Sequence, residues 1–600
     1  MDHSTLRTLP HELLEAIVIY LSPKDTIAFG ATCKAANTVT YEPLVWRRHC
    51  VEGWKYWNTN HELKEKLERP PAQTKWKQLF EQRHRTDKQA LDVFEELLLT
   101  QQYRIKRLEE IAELGYDVKD LMLKLREETP DDAGDVLARR YHANVVIGRI
   151  HRVTALEKWS RLARGQMVRL EEVLGAYDLF VLAGNNGDLG DIDRELDRLA
   201  SLIRASDPDF NTFTIRKKAL RVAEYLRSEN LVGNPNPDNF HALPNNFIGI
   251  ALLQPPHSSL PLQSVAIYCA VARRLGINAK PSNYPGHVHA VIEAPRNETL
   301  DGASIAITSD RNASPEPLEM MHMDPWRSAN EVSSSQLTLR LMQMGAPQGQ
   351  LSFHLRPTTY LEMALRTGRN IMNSVQESRD ARRGVTHHGH PELESAWYSM
   401  LWSMMVLGTN SDPNTLHRRR QCLPYLIEHH QAHFPEDVGL LENIVAPMFT
   451  DEREHRILMH LVTTTRREDE NKKTARTRHK TSAGSLLPND CPGFKIGTHF
   501  RHKRFGYYGI IVGWDFACAA EQRWIQQMRV DELPRGRDQP FYNVVADDKS
   551  IRYVAEENID SITDDVPSLG LMALAGRYFK RWDAAIGRFV SNIKDEYPDD

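Results

Sequence analysis

At 600 residues, with a formal net charge of −4 and 41% hydrophobic residues, the chain is long enough for roughly three to five domains with buried cores. That near-neutral balance excludes a global field drawing it to nucleic acid or an anionic membrane, so any such binding must be local. Six cysteines, Cys33, Cys50, Cys269, Cys422, Cys491 and Cys518, lack paired spacing, which argues against a disulfide framework or a zinc module and for a reducing compartment.

The opening Met1-Asp2-His3-Ser4 carries no basic and apolar signal region, and no apolar run nears the roughly 18 residues of a membrane span. Cytoplasm and/or nucleus is the expected location, with no membrane partner. Residues 1–50 then read as short helices. Pro10 suits a first helical turn. Leu13, Leu14, Ile17, Val18 and Leu21 recur at three- and four-residue spacing, and Ser22-Pro23 ends the run. So small a unit cannot bury a core alone, so the stripe packs on a partner or on the rest of the chain. Residues 51–170 read as a helical connector, with Leu91, Phe94, Leu97, Leu98, Ile105, Leu108, Ile111 and Leu114 at helical spacing among many charges.

Residues 171–337 hold the chemical question. Leu260 to Ile277 reads as an apolar helix closed by Gly276. A strand-like pair follows, with His287 and His289 in Tyr284-Pro285-Gly286-His287-Val288-His289, and Asp324-Pro325-Trp326 lies beyond. Residues 338–465 are again helical. There the Met and Trp stripe from Trp397 to Leu407 suits a core better than a binding box. His387, His388 and His390 cluster in a Gly-containing loop, and His429 with His433 has the i, i+4 spacing that chelates zinc on a helix. Neither group has a nearby Glu-x-x-His or cysteine set. Solvated or packing histidines are therefore the default, and no metal or cofactor is expected.

Residues 466–493 read as a flexible charged linker, dense in Arg, Lys and Glu and then in Ser, Gly and Pro. Its Lys472-Lys473, Arg476, Arg478 and Lys480 suit a solvated linker, a nuclear-import signal or a nucleic-acid contact. Residues 494–565 read as a small antiparallel β-barrel, where Gly497, Gly506, Gly509 and Gly513 punctuate β-branched and aromatic runs. Within it, Arg501 to Arg504 interleave charge with Phe505, Tyr507 and Tyr508, as nucleic-acid surfaces do. Acidic residues such as Asp515, Asp547, Glu556 and Glu557 offset that charge and favour a protein or peptide contact. The donor-rich loop with Arg535, Arg537, Asp538 and Gln539 is the feature expected to recognise a ligand. Residues 566–600 read as an amphipathic helix through Leu571, Leu574, Tyr578, Trp582, Ile586, Phe589 and Ile593, followed by an acidic tail.

Three stretches carry family resemblances. Val512-Gly513-Trp514-Asp515, Arg535 to Tyr542 and Val554-Ala555-Glu556-Glu557-Asn558 resemble the heat-shock protein Q, or hemimethylated-DNA-binding, domain. Leu9-Pro10-His11-Glu12-Leu13-Leu14, Tyr20-Leu21-Ser22 with Asp25, and Trp46-Arg47 resemble the F-box, which docks a Skp-type adaptor in a cullin-RING ubiquitin ligase. Asn245-Asn246, Ala272 to Gly276, Pro285-Gly286-His287 and Asp324-Pro325-Trp326 resemble the transglutaminase-like family. One class of F-box protein carries all three modules in this order. The expected fold is thus multidomain α+β: helical F-box, helical connector, transglutaminase-like α+β domain, helical region and C-terminal antiparallel barrel.

The transglutaminase-like resemblance implies a cysteine at a helix N-terminus, activated by a histidine that an aspartate orients. Here Pro261, Leu262, Gln263 and Ser264 occupy that start, and Cys269 lies about one and a half to two turns deeper. A buried inert thiol is expected, and Ser264 would act only if His287 or His289 activated it strongly. No catalytic residue is assigned. The resemblances imply a non-catalytic substrate-recognition subunit of a Skp-cullin-F-box ligase. Leu9, Pro10, Leu13, Ile17 and Leu21 would meet the adaptor, and an unidentified protein substrate would bind near His287, His289 and Asp324 or near Arg535, Arg537, Asp538 and Gln539. The alternative is a DNA-associated protein using the barrel and the basic linker.

Overall fold

The computed structural model describes residues 9–182, 187–234, 236–296, 298–305, 318–381, 391–450, 453–478, 491–563 and 565–600. The chain divides into two compact units, one made of Met1–Ile150 with His460–Asp600 and the other of His151–Met459. No helix among the described residues is long and apolar enough to cross a membrane.

The first unit begins with four short helices, α1 (His11–Val18), α2 (Pro23–Gly30), α3 (Lys34–Val39) and α4 (Pro43–Gly53). Ser22 caps α2 by accepting from the Asp25 amide at 3.1 Å, with Pro23 in its first turn. Leu14, Val18, Val39, Val45 and Trp46 form a small core that Trp76 and Leu79 of α5 (Trp76–Leu99) complete. The indole of Trp46 donates to the Thr40 carbonyl at 2.6 Å, so this core aromatic leaves no unpaired donor. The connector helices close on Phe94, Leu97, Leu108, Ile111 and Met122.

In the second unit, α6 (Pro261–Arg274) is buried from Pro261 to Ala272. It packs in one core with Val222, Leu226, Ile248 and the four-stranded antiparallel sheet β1 (Ala279–Pro281), β2 (Ala290–Glu293), β3 (Met320–Met323) and β4 (Glu331–Val332), ordered β1-β2-β3-β4. That core also takes in Met363, and the Tyr177 hydroxyl donates to the Ala364 carbonyl at 2.7 Å. The regions expected as 171–337 and 338–465 are therefore packed on each other. Helices α7 (Leu393–Val406) and α8 (Pro413–His433) form an antiparallel hairpin, and Met400, Leu401, Trp402 and Met405 are buried in it.

Back in the first unit, a helix runs to Glu470, beyond the expected start of the linker. Of the described basic residues after it, Arg476 pairs with Asp515 at 3.0 Å and Arg478 with Asp600 at 2.7 Å, while Lys472 is exposed. Carboxylates on the following domain hold a stretch whose composition alone suits a free linker; its expected remainder, 479–490, lies outside the described residues. The β-domain has strands β5 (His499–His502), β6 (Tyr508–Asp515), β7 (Phe541–Ala546), β8 (Ile551–Ala555) and β9 (Ile559–Ser561), ordered β8-β7-β6-β5-β9 and antiparallel throughout. Three residues join the two edge strands, so the sheet curls into a partly open barrel around Phe500, Ile511, Trp514 and Tyr542. Its register shifts between Ile511 and Gly513, a bulge next to a glycine.

The expected C-terminal helix is corrected. Only Leu569–Ala575 is helical, and β10 (Phe579–Asp583) pairs with β11 (Arg588–Ser591). Trp582 and Phe589 face each other across this hairpin with ring centroids 4.8 Å apart. The turn uses Gly587 at φ +60°, where a Cβ would stand 2.7 Å from the Thr563 carbonyl oxygen.

Candidate functional site

Helix α1 has two apolar faces about 100° apart. Leu14 and Val18 point into the local core. Leu13 and Ile17 point outward, 52% and 46% exposed, and Tyr20 extends that ridge at 80%. Pro10 is exposed beside them, whereas Leu9 and Leu21 are half-buried against the local core. Of the residues expected at the adaptor, the structure thus puts Pro10, Leu13 and Ile17 on the outer face. Tyr20 was not among them, although its position three residues after Ile17 is a usable signal. An outward apolar ridge on a unit whose inward residues already fill its core marks a contact surface.

The second candidate site lies where β2, β3 and α6 meet. His287 Nε2 donates to Asp324 Oδ2 at 2.8 Å, which leaves Nδ1 as the nitrogen a nucleophile would need. Burial opposes ionisation of Asp324, but the bond from His287 and the nearby His289 and Arg327 outweigh it and hold the carboxyl below its usual range. His289 is 1% exposed, its backbone tied to Ser282 by bonds of 2.8 and 3.0 Å, while neither ring nitrogen has a hydrogen-bond partner. Burial pushes its imidazole down to about 3, against the opposing charge of Asp324.

No nucleophile faces this pair among the described residues. Ser264 is fully buried; its Oγ accepts from the Gly233 amide at 3.0 Å and shares a hydrogen with Ser259 Oγ at 2.6 Å. Gln263 donates to the Asn246 carbonyl. Cys269 is 2% exposed, and burial pushes its thiol far up. The start of α6 is thus committed to structural bonds. His287, His289 and Asp324 each bring one ligand atom within 4.8 Å of the others. As bonded, however, His287 Nε2 carries a proton and offers no lone pair to an ion.

On the β-domain, Arg535 pairs with Glu556 at 3.1 Å, Arg537 with Asp531 at 2.6 Å, and Gln539 is buried with its amide donating to the Gly536 carbonyl at 3.0 Å. Asp538 is exposed. The loop expected to bind a ligand therefore satisfies most of its own donors. The β5–β6 turn is more open, with Arg501, Lys503, Arg504 and Phe505 exposed.

Three family models match: F-box-like over residues 6–52, transglutaminase-like superfamily over 190–369, and hemimethylated DNA-binding protein YccV like over 492–586. The chain is homologous to F-box only protein 21 of Pongo abelii, 23% identical over 390 residues, covering 64% of this chain and 55% of the relative. The proteins of that name from Mus musculus and Homo sapiens are each 38% identical over 109 residues, 18% of this chain and 17% of theirs. The chain therefore spans about half, or less, of the length of these curated relatives. No solved structure matches.

Proposed function

We propose that this chain is the substrate-recognition subunit of a Skp-cullin-F-box ubiquitin ligase. The observation that carries the reading is the outward ridge of Leu13, Ile17 and Tyr20 on a helical unit that matches the F-box-like model. The similarity to F-box only protein 21 supports it. On this reading the protein makes no bonds itself. It holds a target near the ubiquitin-charged enzyme, raising effective concentration and fixing orientation. Pro10, Leu13 and Ile17 bury against the Skp-type adaptor, with Leu9 and Leu21 supporting them from below. The transglutaminase-like fold serves as a catalytically silent scaffold, and its His287, His289 and Asp324 cleft, or the β-domain loop with Asp538, receives the substrate. Work in the cytoplasm or nucleus suits such a partnership.

The test is retention of the adaptor and cullin by the tagged full-length chain and by a Leu13→Asp, Ile17→Asp variant. Both positions are solvent-exposed, so the variant folds, while charges in a buried apolar contact cost several kcal/mol. Wild type retains both partners and the variant loses them; retention of neither by wild type removes the reading.

A second reading, DNA association, has one observation behind it: the exposed cations and Phe505 of the β5–β6 turn, on a domain that matches the hemimethylated DNA-binding model. Against it, Arg476 and Arg478 are already paired with carboxylates. Affinity of the full chain for DNA, measured across salt concentrations, separates the two readings, because phosphate contacts weaken steeply with salt.

A further inference from the structure

Helices α7 and α8 run antiparallel, which sets the first turn of one beside the last turn of the other. Glu394 in the first turn of α7 thereby meets His429 and His433 near the end of α8. His429 Nδ1 lies 3.7 Å and His433 Nε2 3.9 Å from the same carboxylate oxygen, Glu394 Oε2. The sequence shows only the i, i+4 histidine pair; the third group comes from 35 residues upstream of His429, so no local motif contains it.

We propose that Glu394, His429 and His433 form a binding site for a divalent transition-metal ion, Zn2+ by the character of the donors. Imidazole and carboxylate suit that ion. Zinc bonds of roughly 2.0–2.1 Å at a tetrahedral angle put neighbouring ligand atoms about 3.3–3.4 Å apart, so each histidine needs to approach the carboxylate by only about half an ångström and the two histidine atoms to approach each other by no more than about 1.5 Å. All three ligand atoms lie within 4.8 Å of one another.

The orientation of His429 is set in advance. Its Nε2 lies 2.9 Å from the Glu394 backbone carbonyl, which only accepts, so Nε2 carries the proton and the Nδ1 lone pair faces the carboxylate. The pair at His287 and Asp324 is built the other way, with the proton between histidine and carboxylate. Tyr398 and Phe434 stack at 4.2 Å beside His429 and wall the site on one side. His433 and Glu394 are half-buried, which leaves an entry path and room for a solvent ligand. One cation competes: Arg379 reaches Glu394 Oε2 at 2.7 Å, lies over the Trp397 ring at 5.0 Å and is itself 40% exposed. A bound ion would clasp the two helices at the open end of their hairpin. This inference does not depend on the ligase reading.

The experiment uses the chelator-treated full-length protein, titrated with Zn2+ against a chromophoric chelator, with metal content measured by plasma mass spectrometry. Wild type takes up one tight equivalent. His433→Ala and the isosteric Glu394→Gln each weaken it by roughly tenfold or more. Arg379→Gln tightens it by roughly fivefold, because a competing ion pair is gone; a purely structural Glu394 predicts no such gain. Variants His287→Ala and His387→Ala, His388→Ala, His390→Ala leave the affinity unchanged. Residues 387, 388 and 390 lie outside the described residues, so the triple variant is the control for a histidine run that could bind zinc alone. No uptake by wild type, or loss of binding in either control, overturns the assignment.

Discussion

Ser264 occupies the start of α6, where a nucleophile would have to stand. A hydroxyl needs an adjacent base to become a nucleophile at neutral pH, and this one is held instead by Gly233 and Ser259 at the buried start of α6. His287 and Asp324 keep the geometry of a base and its orienting group, and among the described residues no nucleophile faces them. The full-length protein assayed with amide and acyl-acceptor substrates is therefore expected to show no turnover above buffer, and His287→Ala to change nothing in that assay. Turnover abolished by His287→Ala would mean that water or a substrate group takes the place of the missing nucleophile. The sequence made legible that the start of α6 holds Pro261 to Ser264 and no cysteine. The bonds that immobilise Ser264 were not legible, since Gly233 lies 31 residues away in the chain.

At the scale of single elements, periodicity was informative about type and weak about destination. The stripe on α1 reads as one apolar face, yet its members divide between the local core and solvent, because adjacent leucines on a helix are about 100° apart. At the C-terminus, Trp582 and Phe589 sit seven residues apart, a spacing that fits two turns of helix and also a tight hairpin with facing strands. Only the turn residue separates these, and Gly587 supplies it. The short helix Leu569–Ala575 ends at Gly576, where an added Cβ would stand 2.2 Å from the Leu137 carbonyl oxygen and 2.5 Å from Tyr141 Cβ. Gly576→Ala should therefore cost about 1–3 kcal/mol, read as a lower urea midpoint. An unchanged midpoint would mean that this backbone approach is looser than the structure shows.

On the scale of the whole molecule, buried neutral histidines couple both units to acidity. Burial, with help from Arg104 and Arg577, holds His142 of the first unit well below its ordinary value. His289 of the second unit is pushed down to about 3 by burial. In each case the unfolded chain binds the proton near pH 6.5 and the folded chain does not. The stabilisation is thus complete above about pH 6.5 and is lost as pH falls toward the folded values, each unit of displacement being worth about 1.4 kcal/mol. Urea midpoints measured at pH 7.5 and pH 5 should fall with acidification, and His142→Phe should flatten that dependence in the first unit while leaving the second unchanged. A slope that His142→Phe does not alter would assign it to carboxylates instead.

The first unit is also closed by bonds between its two sequence segments, Met1–Ile150 and His460–Asp600. Thr100 Oγ1 donates to Asp595 at 2.8 Å, and the Tyr103 amide to the Asp469 carbonyl at 2.7 Å. During synthesis the connector helices leave the ribosome long before these partners exist. The intervening His151–Met459 segment takes on the order of 15–60 s to make at roughly 5–20 residues per second. For that interval the N-terminal helices and the connector emerge on a nascent chain whose C-terminal contacts are unwritten. A message truncated after the middle unit would yield a protein whose N-terminal helices are complete while the segment that closes their unit is missing, and exposed connector surface would mark it for chaperones and proteases.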